Sequence, residues 1–185
     1  MDRHPEILNK KRAGLLIVDI QEKIAAVMLR RQSVIDNTLK LIRACQILDV
    51  PVFITEQYPQ GLGATEPVIK EALQGVTPPA KLTFSCCGVQ GLVDQFREKD
   101  VEQIIIVGIE AHVCVQQTAL DFLSQNFQVH VLKDCVSSRR EVDFETALQR
   151  MQAAGVIIST MEAALFELLE QAGTPEFKEV AKLIK

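Results

Sequence analysis

Two runs in this chain leave no room for a solvated face. Residues 13–20 read A-G-L-L-I-V-D-I, and residues 104–107 read I-I-I-V. A strand with one wet face alternates apolar and polar side chains, whereas a strand buried on both faces is apolar throughout. Strands of the second kind belong to parallel sheets covered by helices on both sides. The rest of the chain agrees. Further short apolar runs at 52–56, 129–132 and 156–159 alternate with helical patterns at 33–48, 91–99, 141–153 and 160–171, and a weaker helix fits 173–185. That rhythm predicts one domain over residues 1–185, a three-layer α/β/α, Rossmann-like fold with a six-stranded, parallel, doubly wound sheet. Residues 1–12 are polar and read as a surface arm. Only 5% of the 185 residues are aromatic against 48% hydrophobic, so the core is expected to be aliphatic.

Composition also narrows the function. The net charge is −4, with Lys and Arg scattered among the acids. No basic stripe is present, and no nucleic-acid partner is expected. The five cysteines, Cys45, Cys86, Cys87, Cys114 and Cys135, form neither a C-x-x-C nor a His/Cys spacing. Neither a disulfide framework nor a zinc site is expected. The first twelve residues contain no apolar signal region, and no apolar run reaches membrane-spanning length. A reduced cytoplasm and no membrane partner are the natural expectations. Gly61 and Gly63 lack the third glycine of a dinucleotide fingerprint, so no cofactor is expected either.

The chemistry concentrates where strands end. Asp19 closes the first apolar run, where an acid is costly unless it is paired or functional. As a residue alone it reads equally as a helix cap before Gln21 and Glu22. Lys81 follows two prolines and lies in the small, apolar stretch A-K-L-T-F-S-C-C-G; taken singly it reads as a surface charge. Cys114 follows the 104–107 run and the break expected at Gly108, in the first turn of a helix. Unpaired N–H groups and the positive end of the peptide dipole at such a turn favour thiolate and can hold an oxyanion. Alone, Cys114 reads as a small buried hydrophobe, as do Cys45, Cys86 and Cys87. Together, a carboxylate, an ammonium and a thiol at the ends of parallel strands share one sheet edge, where ligands bind. They make a nucleophilic set.

These same motifs, L-L-I-V-D-I-Q around Asp19, K-L-T-F-S from Lys81 and I-V-G-I-E-A-H-V-C-V-Q-Q-T-A-L-D around Cys114, resemble the isochorismatase-like cysteine hydrolases. That family includes nicotinamidases and N-carbamoylsarcosine amidohydrolases. The stretch T-E-Q-Y-P-Q-G-L-G-A-T, residues 55–65, looks most like the isochorismatase-domain-containing subgroup. The resemblance implies Cys114 as nucleophile, Asp19 as general base and acid, and Lys81 as electrostatic partner. It also implies a cis peptide between Ile109 and Glu110 that turns N–H groups near Ala111 and Cys114 toward an oxyanion, and a homo-oligomer. The implied activity is hydrolysis of a small-molecule amide, imide or carbamoyl compound through a thioester. Gln21, Gln57, Tyr58 and Phe84 flank the motifs and are candidate pocket walls, and His112 is a candidate donor behind the nucleophile or a solvent-facing histidine. The loop at 56–63 has no histidine, unlike the metal-binding loop of nicotinamidases, so no metal is expected. Two other readings stay open: a thiol redox or peroxide-responsive protein using Cys114 with Cys86, Cys87 or Cys135, and an idle binding protein.

Overall fold

A computed structural model describes residues 3–184. The strands are β1 (Ala13–Val18), β2 (Val52–Gln57), β3 (Ala80–Lys81), β4 (Gln103–Ile109), β5 (Gln128–Ser137) and β6 (Ile157–Ser159). They form a single sheet in the order β3-β2-β1-β4-β5-β6, and every neighbouring pair is parallel. The helices are α1 (Glu22–Ala25), α2 (Arg31–Ile47), α3 (Pro59–Leu62), α4 (Pro67–Ala72), α5 (Leu92–Glu98), α6 (Gln116–Ser124), α7 (Glu141–Ala153), α8 (Met161–Leu169) and α9 (Pro175–Val180). The three-layer, six-stranded parallel fold expected from the sequence is the fold observed.

The apolar runs are continuous because each strand feeds two cores. In β1, Leu15 and Ile17 join the layer of α2 and α8, while Leu16 and Val18 join the layer of α5, α6 and α7. In β4, Ile105 and Val107 face the first layer, and Ile104 and Ile106 the second. The expected aliphatic core holds for one side only. The other side gathers Phe53, Phe96, Phe122, Phe127 and Phe144, with Phe53 stacked on Phe96 at 3.9 Å and Phe96 edge-on to Phe122 at 5.2 Å. The few aromatic residues are concentrated rather than spread.

Three local readings need correction. The break expected at Gly108 is absent, because β4 continues through it to Ile109. The glycine is there for close approach: a Cβ on Gly108 would lie 2.1 Å from the Val18 carbonyl oxygen. The fifth strand does not stop at Leu132; it runs to Ser137 past a register shift in which Val131 pairs with Ile106 but Val136 pairs with Gly108. Lys133 and Asp134 mimic a strand end because they occupy that bulge. There Lys133 reaches Glu145 at 3.3 Å, and Asp134 Oδ1 accepts the Met161 N–H at 2.8 Å, at the start of α8. The arm over residues 3–12 is mostly exposed, yet Leu8 is wholly buried, and its N–H donates to Glu167 Oε2 at 2.9 Å.

One buried group predicts acid sensitivity. His130 is 1% exposed, its Nε2 lies 3.2 Å from Gln128 Oε1, and its Nδ1 has no partner. Burial pulls its pKa down to about 4. An unfolded histidine titrates near 6.5, so between those values the unfolded chain binds the extra proton. The neutral ring's contribution is full above about pH 6.5 and is lost as pH falls toward 4, by up to about 3 kcal/mol. Denaturant titrations at pH 7 and pH 4.5 should show a smaller acid loss for His130→Leu than for the parent. An equal loss in both would refute the assignment.

Candidate active site

Because all strands run the same way, their C-terminal ends make one edge. Asp19 leaves β1 in a left-handed conformation, φ 52°, directly after Val18. Lys81 is the last residue of β3. Between them stands the end of β2, whose Thr55 is in register with Val18 and whose Gln57 is in register with Lys81. Cys114 comes from the other side of β1, in a π-helical turn (Ala111–Val115) that joins β4 to α6. Asp19, Lys81 and Cys114 are 2%, 5% and 6% exposed.

Lys81 is the hub. Its Nζ donates to Asp19 Oδ2 at 2.7 Å, Gln57 Oε1 at 2.7 Å, the Phe84 carbonyl at 2.9 Å and the Thr83 carbonyl at 3.2 Å. A buried ammonium needs this degree of satisfaction. Burial alone would lower its pKa, but the Asp19 carboxylate more than reverses that, so the lysine stays charged. Burial pushes the Asp19 carboxyl up, against the opposing pull of Lys81 and of hydrogen bonds from Lys81, Thr55 and Cys114. It therefore takes up a proton more readily than an ordinary carboxylate. Thr55 Oγ1 donates to Asp19 Oδ1 at 2.8 Å.

The expected easy ionisation of Cys114 is not found. Burial and then the Asp19 carboxylate push the thiol well above its ordinary range, and Lys81 only partly offsets them. The helix-start argument fails because Cys114 sits inside a buried turn, and because Lys81 is already neutralised by Asp19. The resting site is thus thiol, carboxylate and ammonium. The acceptor that this arrangement offers the Cys114 proton is the neighbouring Asp19 carboxylate.

The other candidates divide. Gln21 lies beneath the loop, wholly buried: its Nε2 donates to the Gln57 and Gly63 carbonyls at 3.0 and 2.6 Å, and its Oε1 accepts the Gln57 N–H at 2.8 Å. It ties the end of β2 to the following loop. Gln57 holds Lys81 and donates to the Leu82 carbonyl at 3.1 Å. Tyr58 and Phe84 are 49% and 52% exposed, and Tyr58 lines a shallow cleft with Pro59, Lys81 and Leu82. Ile109 and Ala111 are buried, and the Ile109–Glu110 peptide is cis. Glu110 is 6% exposed and accepts from Arg139 Nε at 2.8 Å. His112 is partly exposed, with Nδ1 2.9 Å from Ser138 Oγ. Thr55 has no mark in the sequence and Cys86 enters there only as a possible thiol partner of Cys114, yet the Cys86 Sγ lies 3.4 Å from Thr55 Oγ1 at the site. Only the β1–β2 register marks Thr55, and a one-residue slip would turn it away. Among the described residues, no group of three or more His, Cys, Asp or Glu side chains is arranged to hold a metal ion.

A doubly wound α/β sheet with a buried acid, amine and thiol at its C-terminal edge defines a class of hydrolase-like folds. A family model for the isochorismatase domain matches residues 13–163, and this chain belongs to the isochorismatase family of hydrolases. It is 38% identical over 179 residues to the zebrafish (Danio rerio) isochorismatase domain-containing protein 2, covering 96% of this chain and 89% of that one. The human (Homo sapiens) protein of the same name is 38% identical over 172 residues, 92% and 82% of the two chains. Among solved structures, a MAR1 ribonuclease from Caenorhabditis elegans superposes with a TM-score of 0.90 at 43% identity, over 96% of this chain and 91% of that one. The YcaC gene product of Escherichia coli, an octameric hydrolase of unknown specificity, shares the fold with a TM-score of 0.89 at 21% identity, over 99% and 92%. No helix among the described residues is long and apolar enough to cross a membrane.

Proposed function

We propose that this protein hydrolyses a small amide, imide or carbamoyl compound, with Cys114 as nucleophile. The observation that carries the reading is the buried Asp19–Lys81 pair at 2.7 Å, with both groups acting on the Cys114 thiol. As the sulfur attacks the carbonyl carbon, its proton passes to Asp19. The oxyanion is received by backbone N–H groups at the start of the Ala111–Val115 turn, beside Cys114. Protonated Asp19 then gives the proton to the leaving nitrogen, the C–N bond breaks and a thioester remains. Asp19 next takes a proton from water, hydroxide adds to the thioester carbon, and the departing sulfur recovers the proton. Lys81 stays charged throughout and holds the carboxylate in place.

The direct test is a panel of small amides, ureides and imides incubated with intact protein, followed by mass spectrometry of the Cys114 peptide. An acyl adduct on Cys114 from a turned-over compound supports the reading. Turnover with the adduct on another residue, or persisting without Cys114, ends it. Self-association belongs to the same reading. Leu82 is 76% exposed beside half-exposed Tyr58 and Phe84, and an apolar group of this kind at a site edge suits contact with a second copy.

A second reading comes from the Caenorhabditis elegans neighbour, which is named a ribonuclease. Arg139 and Arg140 stand on the segment that faces Glu110 and His112, near the site. Each is already paired, Arg139 with Glu110 and Arg140 with Asp143, and the whole chain carries −4, so phosphate contacts would have to displace acids. Cleavage of labelled RNA that survives Cys114→Ala but not Asp19→Asn would favour this second reading.

A further inference from the structure

The two oxygens of Asp19 are held differently. Oδ2 receives Lys81, and Oδ1 receives the Thr55 hydroxyl at 2.8 Å. A threonine hydroxyl has one proton. That proton is committed to the carboxylate, so the 3.4 Å contact between Thr55 Oγ1 and Cys86 Sγ must have the thiol as donor. Cys86 is wholly buried and is held from its other side, where its N–H donates at 2.9 Å to Oγ1 of Thr118, four residues after Cys114. Burial, with Asp19 adding to it, pushes the Cys86 thiol up to about 12, so it keeps the proton that it donates.

We propose that Thr55 is the positioning residue for the site's proton acceptor: Cys86 S–H locks the Thr55 hydroxyl as a donor to Asp19 Oδ1, which keeps that carboxylate ionised and aims its remaining lone pair at Cys114. This rests on the reading of Asp19 as the base. The titratable groups facing Asp19 are Lys81 at the end of β3, Cys114 in the turn after β4 and Cys86 in the short turn after β3. Thr55, from β2, adds a donor that does not titrate.

Removing that donor has a paired signature. In Thr55→Val, Asp19 binds a proton more tightly. The acid limb of Cys114 alkylation then moves up by about one pH unit, the scale of one hydrogen bond to a charged group. The rate above that limb rises about tenfold, because the carboxylate now draws the thiol proton further. A merely structural loosening changes the rate and leaves the limb where it was. Thr55→Ser keeps the hydroxyl and should restore both features. Cys86→Ala frees the Thr55 hydroxyl to turn away, and should shift both features the same way by less; it also covers failure of Thr55→Val to fold.

The experiment is iodoacetamide labelling of the full chain across pH, with Cys114 read by peptide mass spectrometry, for the parent, these three variants and Asp19→Asn. It needs no substrate, so a barren amide panel does not decide it. The expected result is a limb that disappears in Asp19→Asn and moves upward in Thr55→Val and Cys86→Ala. A limb that persists in Asp19→Asn overturns the reading of Asp19 as base, and the proposal with it. A limb lost in Asp19→Asn but unmoved in Thr55→Val and Cys86→Ala overturns the proposal alone.

Discussion

Cys114→Ala should lower turnover of whichever amide the panel identifies by a factor on the order of 10³ or more, while the protein stays folded. The expectation separates chemistry from stability better than either partner would. Cys114 is 6% exposed and its replacement deletes one sulfur, a cost of about 1 kcal/mol. Lys81→Met, by contrast, leaves the Asp19 carboxylate buried without its cation. Breaking a buried pair from one side costs about 3–5 kcal/mol, a large part of what a domain has. A dead Lys81 variant could therefore be merely an unstable one. Melting curves for Cys114→Ala and the parent should superpose within a few degrees, with activity gone. Activity within tenfold of the parent would remove the nucleophile from the proposed function.

Gly108→Ala should be the most damaging change to the fold. The added methyl would sit 2.1 Å from the Val18 carbonyl oxygen and 2.8 Å from the Val18 nitrogen, and φ there is 122°. Neither atom is the loose end of a side chain; both are backbone in the central pair of strands. Overpacking costs about 1–3 kcal/mol and the strained φ about 1–3 kcal/mol more, so a loss of about 4 kcal/mol is expected. For a domain of this size that is a fall in Tm on the order of 10 °C. Gly155→Ala is the control: its φ is 103° but no atom lies within 4 Å of the added carbon, so it pays the strain alone. If the two variants melt together, β1 and β4 are not as close as described. Val18 immediately precedes Asp19, so a folded but displaced Gly108→Ala should also lose activity.

These two residues show how legibility varies along the chain. Gly108 was visible as an oddity inside an apolar run, but sequence supports two explanations for such a glycine, an end and a close approach. Choosing between them needs the neighbouring strand. The bulge at Lys133 and Asp134 misled for a similar reason, since two polar residues in a row end most strands, and only the renewed pairing at Val136 shows that this one continues. Thr55 carried no signal, and Cys86 carried one only as a possible thiol partner of Cys114. A threonine in an apolar strand and one of two adjacent cysteines are ordinary until register sets them against Asp19.

The chain alone determined its layers and the edge where Asp19, Lys81 and Cys114 meet. Period-two burial on both faces forces continuous apolar strands, parallel strands force crossovers, and crossovers bring distant strand ends to one rim. Asp19, Lys81 and Cys114 could be placed together from that reasoning. What only the tertiary structure decided was the state of those groups. A helix start favours a thiolate in water-like surroundings, but burial and a carboxylate already paired with the lysine hold Cys114 as a thiol. Position along a parallel sheet follows from local pattern, whereas ionisation depends on every charge and every excluded water around a group, and those are set by residues far away in the chain.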